Sequence, residues 1–147
     1  MVPVAFFALL GLVELIKRKS FRKVDGDLYA LMGAYVLMAA VYIFFDKVYV
    51  VNLRPIIEKG ALAAEPSFPS SHTLLSVVVL GTAIIEAGRL REKTFRILLT
   101  ILLSLLLVAV VALRLLSGVH WLTDIIGGIL WGEVIILFFQ YFSLKLK

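Results

Sequence analysis

Five apolar runs fill this chain, at approximately residues 1–16, 28–45, 73–88, 97–113 and 121–143. Each approaches the roughly 20 residues that an α-helix needs to cross the hydrocarbon of a bilayer. The chain has 147 residues, 62% of them hydrophobic, and a mean hydropathy of +1.05. A soluble domain of this length has too little interior to hide so much apolar surface. Lipid must serve as its solvent. The expected fold is therefore all-α: a polytopic transmembrane bundle of about five spans, with a short extracytoplasmic segment between spans two and three. The first run is short, and spans with modest thinning of the bilayer. A cleaved signal peptide is the rival reading of residues 1–16. It is disfavoured because the basic residues follow the apolar run and no small-x-small cleavage site appears. With no linker, low-complexity segment or internal repeat, residues 1–147 read as a single membrane-embedded domain.

The net charge of +5 does not point to nucleic acid, because of where the cations lie. Lys17, Arg18, Lys19, Arg22 and Lys23 separate the first two spans; Arg89, Arg91, Lys93 and Arg96 separate the third and fourth; Lys145 and Lys147 close the chain. With five spans these regions share one side, which the positive-inside rule makes cytoplasmic. They serve as topology signals, with anionic-lipid contact as a by-product. Lys47, Arg54, Lys59 and Arg114 fall on or near the other side and need another explanation.

Both histidines of the chain lie just outside apolar runs. His72 ends Pro69-Ser70-Ser71-His72, and His120 lies between Arg114 and Asp124. The prolines and hydroxyls before the third span suit a helix N-terminus, whose free N–H groups and dipole favour an anion. The bland alternative is a helix cap. Ser117-Gly118 is expected to break the fourth helix, and His120 to open the fifth with Asp124 one turn later on the same helical face. A carboxylate there accepts an imidazole N–H, fixes its tautomer and leaves the other nitrogen free to act. His120 alone would read as an interfacial histidine; with Asp124 and Arg114 beside it, it reads as functional. Three cations, two imidazoles and a carboxylate are the inventory for holding a phosphate and breaking its ester bond. All fall on one membrane face under the charge-derived topology.

These motifs resemble those of the type 2 phosphatidic acid phosphatase superfamily of integral membrane lipid phosphatases: K-x6-R-P, P-S-G-H and S-R-x5-H-x3-D. Lys47, Arg54 and Pro55 complete the first; the second reads Pro69-Ser70-Ser71-His72; the third keeps Arg114, His120 and Asp124 in register, with Leu113 in place of serine. Leu113 removes one donor, and the family core commonly has six helices against five here. The motif set is also similar to that of soluble vanadium haloperoxidases, a branch the membrane spans argue against.

The resemblance implies a covalent mechanism. Lys47, Arg54 and Arg114 would surround the phosphoryl oxygens, with Ser70, Ser71 and first-turn N–H groups completing the cradle. His120, held by Asp124, would attack phosphorus, and His72 would protonate the leaving oxygen and then activate water. The protein cations take the place of a metal, so no metal or other cofactor is expected, and the absence of cysteine excludes thiolate chemistry. The expected substrate is a membrane lipid phosphate or pyrophosphate: undecaprenyl pyrophosphate, phosphatidylglycerol phosphate, phosphatidate or the lipid A 1-phosphate group. A lipid transporter or flippase lined by Arg114, Asp124 and Glu133 is the alternative from another class, and an inactive phospholipid-binding protein a third. Five spans without inverted repeats fit transport poorly. The expected location is the inner membrane, with the site on its extracytoplasmic face.

Four outlying features receive plainer readings. Glu133, deep in the fifth run, suggests a buried hydrogen bond. Gly128-x3-Gly132 fits helix packing within the monomer or a homo-oligomer contact. Trp121 marks the membrane interface. Asp46, Glu58 and Glu65 shape the entrance or are simply solvated.

Overall fold

A computed structural model describes residues 26–55 and 65–146. Four helices occupy most of them: α1 (Gly26–Ile43), α2 (Ser71–Gly88), α3 (Lys93–Leu116) and α4 (Leu122–Lys145). A π-helical turn, Phe44–Val48, extends α1. Among the described residues all four helices are long and apolar enough to cross a membrane, and there is no strand, only an isolated antiparallel bridge between Leu53 and Pro66. The four correspond to the last four apolar runs. The first run lies outside the described residues.

Local chemistry sets the helix ends. The Glu92 side chain caps α3 by accepting from Phe95 N at 3.0 Å. At its other end Ser117 N donates to Leu113 O, and Gly118 takes φ 68°, a left-handed conformation that glycine adopts without a Cβ penalty. The expected break at Ser117-Gly118 is therefore present. At α4 the Asp124 carboxylate accepts from Trp121 N at 3.0 Å, holding the turn that precedes the helix. Residues 49–55 and 65–70 form no helix. They run as an extended strap, paired through Arg54 N to Glu65 O and Ser67 N to Asn52 O, each 2.9 Å.

Helix α4 is the centre of the packing, with α1 and α2 against it and α3 on the outer side of α2. The core is a cluster of Ala30, Leu31, Ala34, Val41, Leu74, Val78, Ile135 and Phe139. Gly128 and Gly132 are both buried in the contact with α2. A Cβ at Gly128 would meet Ser70 O and Thr73, and one at Gly132 would meet Val77. This pair therefore serves packing inside the monomer, as small residues do where membrane helices approach closely. In contrast, α3 has no buried residue.

The alternating helices gather the motif residues at one end of the bundle. At the other end Arg89, which follows α2, lies 2.9 Å from Asp27 of α1 and 2.5 Å from Glu86. It also donates to Ser143 of α4 at 2.7 Å, and Ser143 in turn donates to Asp27. Arg89 thus fastens three helices besides contributing to the charge pattern. Glu133 is exposed, so the expectation of a buried hydrogen bond fails. Nine residues from Asp124, it lies half a helical rotation away, on the opposite face of α4.

Candidate active site

His120 is the pivot of the site. It lies two residues before α4, so the expectation that it shares a helical face with Asp124 is not met. The capping turn brings them together instead. With Asp124 Oδ2 tied to Trp121 N, the same oxygen comes to 3.5 Å from His120 Nδ1. That separation is at the limit of a hydrogen bond, and Nδ1 makes none. We read the pair as an oriented electrostatic contact that tightens to a hydrogen bond with little movement. Both side chains are inaccessible, at 2% and 0% exposure.

The other ring nitrogen faces a cation. Arg114 Nη2 lies 3.1 Å from His120 Nε2. A guanidinium can only donate, so Nε2 carries a lone pair and the proton belongs on Nδ1, towards Asp124. Burial, together with the charges of Arg114 and Arg54, pushes the His120 pKa below that of an ordinary histidine; Asp124 opposes this without cancelling it. The neutral imidazole is thus favoured. It presents the lone pair required of a nucleophile.

Around His120 opens a cleft of about 280 Å³, lined in part by Lys47, Arg54, Ser71, Asp46 and Glu65. Arg54 comes from the strap, and its Nε approaches Glu65 Oε2 at 3.4 Å. Lys47, in the π-helical turn, pairs with Asp46 at 2.8 Å while its side chain stays 75% exposed. The two carboxylates therefore rim the cleft as partners of its cations, Asp46 largely buried and Glu65 exposed. Glu58 lies outside the described residues. The Nε atoms of Arg54 and Arg114, Ser67 Oγ and His120 Nδ1 are buried polar atoms with no hydrogen-bond partner. The two guanidinium groups among them, with donors left without a hydrogen bond, fit an anionic guest.

The remaining motif residues divide. Ser71 and His72 occupy the first turn of α2, whose backbone N–H groups have no intrahelical acceptor. His72 is exposed, with Nδ1 3.5 Å from Ser71 Oγ, and lies within electrostatic range of Arg114 and Arg54. Ser70 is fully buried. Its hydroxyl accepts from Thr73 at 3.0 Å and its N–H donates to Asp124 O at 3.0 Å, so it joins α2 to α4 and does not line the cleft. Leu113 is exposed. Among the described residues no group of three or more His, Cys, Asp or Glu is placed to hold a metal ion.

The strap supplies partners that residue spacing did not reveal. Asn52 Nδ2 donates to Asp124 Oδ1 at 2.8 Å and to Thr123 Oγ1 at 3.2 Å. The Trp121 indole donates to Leu53 O at 2.8 Å, so this residue is a structural clasp as well as an exposed aromatic. Asn52 is the only asparagine in the chain and interrupts the apolar stretch Val48–Leu53, the one signal that could have marked it.

The sequence profile of the PAP2 superfamily matches residues 28–147, which contain every one of these groups. The chain belongs to the PAP2 superfamily. Members of this superfamily are phosphatases, so a hydrolase acting on phosphate esters is the activity that membership supports. With four helices apolar enough to span a bilayer, the chain is a membrane member. No curated protein sequence and no solved structure matches it.

Proposed function

We propose that this PAP2-superfamily protein removes a phosphate from a lipid phosphate or pyrophosphate at the extracytoplasmic face of the inner membrane, through a phosphohistidine on His120. The observation that carries the reading is the orientation of His120. One ring nitrogen faces a buried carboxylate and the other faces a guanidinium, at the wall of a cleft that also holds Arg54 and Lys47.

In the first step His120 Nε2 forms a bond to phosphorus while the bond from phosphorus to the lipid oxygen breaks. Arg114 turns from Nε2 to the phosphoryl oxygens, joined by Arg54 and Lys47, and stabilises the charge that develops there. The proton on Nδ1 remains directed at Asp124, which supports the positive charge spreading over the ring. His72 gives its proton to the departing oxygen. It then takes a proton from water as that water attacks phosphorus and releases His120. Ser71 and the first-turn N–H groups of α2 add donors to the cradle. Cations of the chain carry the electrostatic role that a metal holds in other phosphatases, so turnover is expected in the presence of chelator.

The site lies at the end of the bundle away from Arg89, Arg91, Lys93 and Arg96. The basic residues described at that opposite end, Arg89, Arg91, Lys93, Arg96 and Lys145, support reading it as the cytoplasmic side. Cysteines replacing Glu65 and Lys93 should label from opposite sides of intact cells; labelling of both from the same side would overturn the topology. For the substrate, the connection from Lys47 to His72 leaves no room for a large outer domain, which favours recognition through phosphate and an acyl or prenyl chain. Purified protein in chelator should release phosphate from at least one of undecaprenyl pyrophosphate, phosphatidylglycerol phosphate, phosphatidate and lipid A 1-phosphate. Release from none, or a strict need for a divalent metal, would refute the proposal.

A further inference from the structure

We infer that Asn52 is a positioning residue for this reaction, holding the Asp124 carboxylate towards His120 from the strap that also carries Arg54. The inference rests on the phosphatase reading above.

The Asp124 side chain is fully buried, so each oxygen depends on partners within the protein. Oδ2 receives Trp121 N–H at 3.0 Å and faces His120 Nδ1 at 3.5 Å. Oδ1 receives Asn52 Nδ2 at 2.8 Å. An aspartate oxygen only accepts, so the amide must present its NH2 group here, which settles its orientation. Remove that donor and Oδ1 is left buried without a side-chain partner. The carboxylate then gains a reason to rotate, and rotation takes Oδ2 away from His120.

Asn52 is itself fixed on both sides. Its main-chain carbonyl accepts from Ser67 N at 2.9 Å, and the next main-chain carbonyl, of Leu53, accepts from the Trp121 indole at 2.8 Å. In an extended segment, residues two apart share a face. Asn52 therefore reaches Asp124 from the face of the strap on which Arg54 borders the cleft. Placing Asp124 and placing a phosphate-binding cation are thus consequences of one local structure.

The residue type fits the task. An acidic residue would set two carboxylates against each other, and lysine would compete with His120 for the charge of Asp124. A neutral donor positions the carboxylate and leaves its charge for the imidazole.

The test uses full-length protein in detergent with a lipid phosphate that the wild type hydrolyses, all variants compared at equal folded protein. Asn52→Ala should lower kcat about 10-fold or more, the usual scale for losing a partner that orients a reacting group, with KM changed less than about twofold because the strap keeps its main-chain bonds to Glu65, Ser67 and Trp121 and so keeps Arg54 in place. Rapid-quench phosphoenzyme formation should slow in parallel. Asn52→Asp, nearly isosteric, should be slower than Asn52→Ala, whereas a space-filling role would be preserved by it. In an Asp124→Asn background, Asn52→Ala should cost less than about twofold more, since the two residues act as one unit. Should Asn52→Ala fail to fold, Asn52→Ser and Asn52→Asp carry the same cycle. Unchanged kcat, a loss confined to KM, or fully multiplicative losses in the double variant would overturn this inference while leaving the phosphatase reading intact. No phosphate release by the wild type overturns that reading and this inference with it.

Discussion

Arg114 Nη2 and His120 Nε2 lie 3.1 Å apart, a guanidinium placed against the lone pair of the imidazole proposed as the nucleophile. Without substrate this contact occupies the nitrogen to which the proposed mechanism gives the attack. A phosphate entering the cleft offers Arg114 a stronger acceptor, because an anion with several oxygens suits the guanidinium fork better than one ring nitrogen. Binding of the anion and release of the nucleophile are then a single exchange of partners.

This exchange makes Arg114 sensitive to shape as well as charge. Arg114→Ala should lower kcat/KM on the order of 10²-fold or more, as does loss of a donor to a developing oxyanion. Arg114→Lys should remain well below wild type, because a point charge cannot hold two phosphoryl oxygens in a plane. Steady-state phosphate release from a lipid substrate is the measurement. Near-wild-type turnover in the lysine variant would show that only the charge matters.

The electrostatics of His120 set a pH dependence. Burial and the charges of Arg114 and Arg54 lower its pKa, so the neutral, nucleophilic form persists as pH falls through the ordinary histidine range of about 6.5. The acid limb of phosphoenzyme formation should therefore lie below pH ~6.5. Arg54→Gln removes one of the charges disfavouring the imidazolium. Its residual activity should show an acid limb moved to higher pH. Rapid-quench rates between about pH 4 and 8, bracketing that range, read both effects. An unmoved limb in Arg54→Gln would assign it to a different group.

The acidic rim predicts a gain. Glu65 lies 3.4 Å from Arg54 Nε and its side chain is 69% exposed, so it competes with an incoming phosphate for a cation at the cleft edge. Exposed ion pairs contribute only about 0–1 kcal/mol, which bounds the effect at roughly fivefold. Glu65→Gln should lower KM by up to that factor and leave kcat unchanged. A raised KM would show instead that Glu65 holds Arg54 in its working position.

Much of this arrangement could be read from residue order. Four apolar runs became α1 to α4 because hydropathy and helix length are local properties. The K-x6-R-P and R-x5-H-x3-D spacings located Lys47, Arg54, Arg114, His120 and Asp124 because those motifs lie at helix ends and turns, where intervals in sequence translate directly into reach. The misreadings were three-dimensional. Placing His120 on a helical face assumed that α4 begins earlier, and only the Trp121–Asp124 capping contact reveals the start at Leu122. Ser70 reads as a donor to an anion, yet the α2–α4 contact at Gly128 buries it. Glu133 reads as buried from its depth in an apolar run, although depth says nothing of which face a residue occupies. Asn52 went unread because its partner Asp124 is 72 residues away. No periodicity encodes a strap crossing a helix start.

The assignment of nucleophile and acid yields the most discriminating prediction. His120→Ala should abolish turnover, because the chain has no cysteine and its other histidine is exposed with a serine hydroxyl, not a buried carboxylate, beside it. His72→Ala should behave differently. It removes the proton donor to the leaving oxygen, so lipid alcohol esters should suffer most, while an ester of an acidic phenol, whose oxygen departs without a proton, should be partly spared. Rapidly quenched wild-type enzyme should contain an acid-labile, base-stable phosphoenzyme. His120→Ala should contain none, and Asp124→Asn should form it slowly, having lost the carboxylate that fixes the tautomer and supports the charged ring. Phosphoenzyme persisting in His120→Ala would assign the nucleophile elsewhere. Equal losses on alkyl and phenyl esters in His72→Ala would remove His72 from the role of general acid.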